Sequence, residues 1–208
     1  FQLAVASYRS GQLAIAAQHC RAGLKLDPEN PNGLQLLATI LLRQGDAEGS
    51  VETLDKVLRR MPQAPDVLLN RAIALQQLRR LDEALASLDR AIGARPDYAV
   101  AFSNRSSVLI ALGRYAEALE SANRAAALAP NSVAALFNRA DALRALGRYA
   151  EALAGFERVA ALVQQPGTRE ALVGLEPARL AALMFEVKLC IGRSEEHTSE
   201  LQSRFGIS

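Results

Sequence analysis

The chain has 208 residues, half of them apolar, only 5% aromatic and none of them Trp, and Ala, Leu and Arg are prominent while Thr, Tyr and Ile are sparse. That mixture favours helix over strand and predicts an all-α protein. With 24 basic and 22 acidic side chains the formal charge is +2, too small a field to draw in a nucleic-acid backbone or an anionic membrane; no stretch approaches the roughly 20 unbroken apolar residues of a membrane span, and no basic-then-apolar leader opens the chain, so it reads as soluble and cytoplasmic.

The chain opens at Phe1 inside a helical pattern, so its first repeating unit lacks its opening residues. Pro28, Pro62, Pro96 and Pro130 then fall at a constant spacing of 34, and the segments between them align without a gap. If each proline is position 32 of a unit, position 8 is Ala4, Ala38, Ala72, Ser106 and Ala140, and position 20 is Ala16, Ser50, Ala84, Ala118 and Ala152. Two columns of small side chains let two helices cross closely, because a larger side chain would push the axes apart. Position 24 carries Leu54, Leu88 and Phe156, with Cys20 and Ala122 as smaller members. Gly11, Gly45, Gly113 and Gly147 stand at position 15, where a left-handed residue ends a helix cheaply, and Arg79 replaces glycine in the third unit. These marks predict helix pairs at 31–44 and 47–61, 65–78 and 81–94, 99–112 and 115–128, and 133–146 and 149–163.

The two most similar segments read ALGRYAEALESANRAAAL from Ala111 and ALGRYAEALAGFERVAAL from Ala145. With its small-residue, Gly and Pro columns the chain resembles the tetratricopeptide-repeat family over residues 1–166, about five units with the first truncated. It departs in lacking the family's Trp at position 4, where Leu34, Leu68, Phe102 and Leu136 stand. The resemblance implies a right-handed superhelical solenoid of antiparallel helix hairpins, with a concave face that binds protein.

Past Pro166 the period is lost. Gly167 to Glu176 reads as a short helix or connector, and Pro177 starts another helix at its tolerated first position, so 167–192 forms a connector and an apolar helix. In that helix Leu180, Leu183, Met184 and Val187 make one stripe, yet Phe185, Leu189 and Ile191 carry apolar surface round much of the rest. It reads as a helix to be covered on more than one side. RSEEHTSELQS, from Arg193 to Ser203, resembles the in-frame translation of a common sequencing-library adapter, and RFGIS its index and following bases. Residues 193–208 are therefore set aside as a non-native tail, which removes two Arg and three Glu and moves the formal charge to +3.

Candidate chemistry is thin. The two histidines, His19 and His197, cannot assemble a metal or acid–base cluster. Cys20 and Cys190 lie several hairpins apart, beyond disulfide reach, and read as small buried hydrophobes. The glycines are spent on repeat turns, with no phosphate-cradling loop, nucleophile elbow or carboxylate pair. The expectation is a segment with no active site, no metal and no cofactor.

A partner's place is easier to mark. Position 6 of the first helix is Asn70, Asn104 and Asn138, each followed by Arg71, Arg105 and Arg139. In the resembled family, first-helix positions 2, 5, 6, 9, 12 and 13 face the groove, which implies an asparagine ladder able to engage both polar groups of an extended peptide backbone. The same residues would equally serve to hydrogen-bond neighbouring helices. The arginines are expected to lay their stems on the core and reach a carboxylate. Arg80 with Glu83, Arg114 with Glu117 and Arg148 with Glu151 form solvated i,i+3 pairs. The rest of the expected groove holds Gln76 and Gln77, Ser103 and Ser107, Phe137, Asp141 and Arg144. The basic clamp by which some relatives grip a terminal carboxylate is not reproduced, because positions 5 and 9 lack the needed Lys and Asn.

The sequence thus points to a scaffold binding an extended peptide or partner protein on a concave face. An alternative comes from LAALMFEVKLCIG, Leu180 to Gly192, which resembles the bridging helix of bacterial SPINDLY-type O-linked N-acetylglucosamine transferase-like proteins and implies a substrate-recruiting arm of a larger enzyme. RNA binding ranks last, since helical-repeat RNA binders keep a different period and a strongly basic groove.

Overall fold

The computed structural model describes residues 1–164 and 177–205, with side chains in the last helix described for 178–193. Among the described residues every regular element is an α-helix: α1 (Gln2–Arg9), α2 (Leu13–Leu26), α3 (Pro31–Arg43), α4 (Ala47–Arg60), α5 (Pro65–Gln77), α6 (Leu81–Ala94), α7 (Ala99–Ala111), α8 (Tyr115–Leu128), α9 (Val133–Ala145), α10 (Tyr149–Val163) and α11 (Pro177–Phe205). The eight helices from α3 to α10 stand where the repeat columns predict them. The chain divides into two compact units, Phe1–Val108 and Leu109–Ser208, with α7 crossing the boundary.

Local chemistry explains the boundaries. Pro31 and Pro65 open α3 and α5 at the first helical position, where a missing N–H costs nothing. Side-chain caps close three helix starts: Gly33 N–H donates to Asn30 Oδ1 at 2.9 Å, Gly49 N–H to Asp46 Oδ1 at 2.9 Å and Ala135 N–H to Ser132 Oγ at 3.3 Å. Each first helix of a pair ends on a left-handed residue. Gly45, at φ +86°, donates to Leu42 O at 3.1 Å, and Asp46 reaches Leu41 O at 2.9 Å, closing the paired bonds of a Schellman turn.

Arg79 adopts the same conformation at φ 60°, alone among non-glycine residues of the described chain. Its N–H bonds Gln76 O at 3.1 Å, and the Arg80 N–H bonds Leu75 O at 3.0 Å, so the turn is kept although its Cβ crowds the backbone. Arg79→Gly is expected to raise stability by about 1 kcal/mol, because a left-handed L-residue costs roughly 1–2 kcal/mol and glycine gives back part of that in chain entropy. Urea denaturation followed by circular dichroism checks it; an unchanged midpoint would show that the turn relaxes to hold Arg79 without strain.

The small-residue columns lie at the helix crossings. Ala4, Ala38, Ala72, Ser106 and Ala140 are each at most 1% exposed, as are Ala16, Ser50, Ala84, Ala118 and Ala152. At Gly155 the α9–α10 approach is so close that an added Cβ would lie 2.9 Å from the Ala140 Cβ. The two units have their own cores. In the first, Ala4, Ala17, Cys20, Leu37, Ile40 and Leu41 cluster across α1 to α3. In the second, Leu136, Leu143, Phe156 and Val159 pack with Leu180 and Val187 of α11.

Both cysteines are free thiols. Cys20 is fully buried, its Sγ donating to Gly33 O at 3.2 Å, and burial pushes its pKa up and keeps it protonated. Cys190, expected as a buried hydrophobe, is only half-buried, because α11 turns one side to solvent: Phe185 is 65% and Leu189 47% exposed. The helix expected over 177–193 also runs on to Phe205, since no proline or glycine interrupts it between Gly192 and Gly206. The expected connector at 167–176 lies outside the described residues.

Candidate functional site

In the first unit the expected groove residues sit on α5 and α7. Asn70 is half-buried near the middle of α5, and among the described residues nothing hydrogen-bonds its side chain. One turn and a half further on, Gln76 Nε2 donates to Ser107 Oγ at 3.0 Å, tying α5 to α7. Asn104 is half-buried too, but its Nδ2 donates to Val100 O at 2.8 Å, one turn back in its own helix. That bond uses one donor and keeps the carbonyl and the second donor available to a ligand. Ser103 is only 6% exposed, so it serves the packing of α7 more than an open face.

Asp66, in the first turn of α5, was passed over in the sequence although it occupies groove position 2. It accepts from both Arg95 Nη atoms at 3.1 and 3.0 Å and from Tyr98 Oη at 2.7 Å, while the guanidinium lies over the Tyr98 ring at 4.4 Å from its centroid. The Arg95 hydrogen bond, followed by that of Tyr98, holds the Asp66 carboxyl below its ordinary range. Burial, together with the carboxylate, pushes the Tyr98 phenol up to about 12. The clasp fastens the start of α5 to the α6–α7 link and sets the orientation of the helix that carries Asn70. A unique Asp–Arg–Tyr set at three repeat positions was the available signal.

In the second unit Asn138 is half-buried on α9, and the neighbouring groove positions are taken up by α11. Phe137 packs against Phe156 with ring centroids 5.6 Å apart, and the Arg179 guanidinium stands 5.7 Å from its centroid. Asp141, 9% exposed, accepts from Arg144 Nε at 3.0 Å and Nη2 at 2.9 Å. Arg144 Nη1 reaches Glu186 Oε1 at 3.0 Å. The polar specificity expected of Asp141 and Arg144 is thus spent largely on each other and on the last helix. Within the first unit the open part of the expected groove narrows to Asn70, Gln76, Asn104 and Ser107, with Gln77 exposed beside them.

The arginine column behaves as expected in two cases and differs in the third. Arg71 Nε donates to Asp55 Oδ1 at 2.6 Å and its Nη1 to Ser87 Oγ at 2.8 Å, and Arg105 Nε donates to Asp89 Oδ1 at 2.7 Å. Arg139 Nε finds the amide oxygen of Asn123 at 2.8 Å, because that residue replaces the Asp of the other two units. Each arm spans 16 residues, from the first helix of one hairpin to the second helix of the hairpin before it. The i,i+3 pairs form as forks on the surface, Arg148 to Glu151 through two bonds of 2.7 Å.

The tetratricopeptide-repeat profile matches residues 35–99 and 104–167. The chain belongs to the tetratricopeptide-repeat family. Among solved tetratricopeptide-type structures, a thermophilic TPR protein of Thermus thermophilus is 26% identical at a TM-score of 0.70, over 88% of this chain and 96% of that one. PilW, a widely conserved type IV pilus biogenesis factor, is 21% identical at a TM-score of 0.80, over 100% of this chain and 92% of that one. MamA is 21% identical at a TM-score of 0.69, over 77% and 94%. At 21% identity the last two show the tetratricopeptide fold and nothing finer. A search of curated proteins found no match. Among the described residues no group of His, Cys, Asp and Glu has the makings of a metal site, and no helix is long and apolar enough to cross a membrane.

Proposed function

We propose that this tetratricopeptide chain is a protein-interaction scaffold, and that its first helices bind an extended peptide through Asn70, Asn104 and Asn138. The observation that carries the reading is the state of the Asn70 and Asn104 side chains. Asn70 is half-buried with its amide unspent, and Asn104 commits one donor to its own helix and keeps the rest. An amide offers an acceptor and two donors, so the ladder would read backbone and hold many sequences. No catalytic role is assigned to residues 1–164.

The test takes peptides selected on the chain from a random library and measures their affinity for a variant with Asn70, Asn104 and Asn138 all changed to Ala. Affinity should fall about tenfold or more, as lost hydrogen bonds of roughly 1 kcal/mol each would require, while far-UV circular dichroism stays the same. Unchanged affinity would reject the ladder.

A second reading is favoured by the exposed Phe185 and Leu189 of α11, which leave that helix with apolar surface uncovered. On this reading the repeats recruit substrate for a sugar-nucleotide transferase encoded beyond residue 192, in place of the adapter-like tail. Sequencing the source gene downstream of codon 192 tests it: a transferase domain supports the reading, and a nearby stop codon ends it.

A further inference from the structure

The first unit has a concavity at the turn that joins α2 to α3. Its volume is about 430 Å³, within the range of sites that hold small ligands or single anchoring side chains. Pro28, Pro31, Leu34, Val57 and Met61 form its apolar lining, and Met61 is 47% exposed. Lys56, Arg59 and Arg60 from the end of α4 stand round it, with Glu29.

The repeat sets this turn apart from two of the later ones. At the position of Lys56 the later units carry Arg90, Arg124 and Arg158. Arg90 Nη2 donates to Pro62 O at 2.6 Å, and Arg158 Nη2 to Pro130 O at 3.0 Å, each folding over the proline turn of the preceding hairpin, while Arg124 makes no such bond among the described residues. Lys56 makes no such bond to the proline turn, and among the described residues nothing pairs with the Lys56 ammonium or the Arg59 guanidinium. Arg60 is held by Glu29. Basic residues favour a helix C-terminus because the last carbonyls carry partial negative charge. That accounts for one cation, as at the ends of α2, α3 and α9, but α4 has two in its last turn and α6, α8 and α10 have none.

We infer that this cleft is a second docking site, for a carboxylate-rich peptide segment of a partner protein that seats one aliphatic side chain between Pro28, Pro31 and Met61 and sets its carboxylates on Lys56 and Arg59. Charge complementarity selects the occupant: two unpaired cations border an apolar hollow whose only anion is already bound to Arg60. Met61 supplies an adaptable contact that tolerates different aliphatic partners. A nucleic acid fits poorly, since the lining contains no aromatic ring on which a base could stack and two cations make a small phosphate footprint.

The probe is a short fluorescein-labelled peptide, acetylated and amidated, in which Asp residues flank single Leu residues; its binding to the full chain is followed by fluorescence anisotropy. Binding should weaken with added salt and fall about tenfold or more in a chain carrying both Lys56→Glu and Arg59→Glu, where like charges meet. Lys56→Arg is the sharper variant. It keeps the charge and introduces the arm that closes on the proline carbonyl at Arg90 and Arg158, so it too should weaken binding by about tenfold if a single buried aliphatic group worth roughly 1.5 kcal/mol is lost. Undiminished binding by Lys56→Arg, or equal binding of a poly-Asp peptide without leucine, would overturn the site in favour of a diffuse charge effect. No binding of the probe would overturn it as well, as would loss of binding in the Asn70, Asn104 and Asn138 variant with none in the charge-reversed one.

Discussion

Replacing Phe156 by Ala is expected to destabilise the second unit by about 4 kcal/mol, the usual cost of removing a fully buried aromatic side chain. Phe156 has no exposed surface and sits at position 24 of its hairpin, against Phe137 and within the cluster that α9, α10 and α11 share. Its neighbours cannot collapse far into the space, because Ala140 and Gly155 already bring α9 and α10 to close contact. The corresponding position is Ala122 in the unit before, so this core has concentrated its volume in one ring. Stacked repeats melt in parts when neighbouring units are unequally stabilised. Thermal unfolding of the variant should therefore broaden or split. A single transition shifted by less than a degree or two would mean that α11 closes over the cavity.

Arg71→Ala is expected to cost about 2 kcal/mol, in the range of hydrogen bonds to a charged group that is mostly shielded from water. The Arg71 side chain is 17% exposed and bridges two hairpins at once, to Asp55 behind it and Ser87 beside it. Its removal strips Ser87 of the guanidinium, leaving the hydroxyl only its 2.9 Å bond to Glu83 O, and leaves Asp55 facing the interface alone. Arg148→Ala is the contrasting variant. Its partner Glu151 lies on the same helix face and the two side chains are 49% and 50% exposed, so its loss should leave the urea midpoint unchanged. Equal destabilisation by the two variants would show that the Arg71 bridge contributes nothing beyond an ordinary surface pair.

Much of the candidate site was legible because it repeats. The asparagines, the arginines that follow them and the Asp or Asn residues they reach all recur with the 34-residue period, so one side chain's place implies the others. What could not be read were contacts made by residues outside the period. Glu186 and Arg179 come from α11, where no column aligns them, and they engage Arg144 and Phe137, two residues expected to face a partner. Ser50 makes the same point within the core: it shares a column with four alanines, yet only the packed structure shows its hydroxyl buried without a hydrogen-bond partner.

The sequence alone determined the helices of the repeats, their glycine turns and the inward columns, because those features follow from local backbone preferences and side-chain period, while the left-handed turn kept at Arg79 came only with the structure. Only the tertiary structure decided which polar groups remain available to a partner. Ser103 is buried, the Asn104 amide turns back to its own helix, Asp141 and Arg144 pair with each other, and a cleft stands open beside Lys56. The physical reason is that a side chain's hydrogen bonds are settled by whichever donors and acceptors packing brings within about 3 Å, and periodicity along the chain carries no record of those distances.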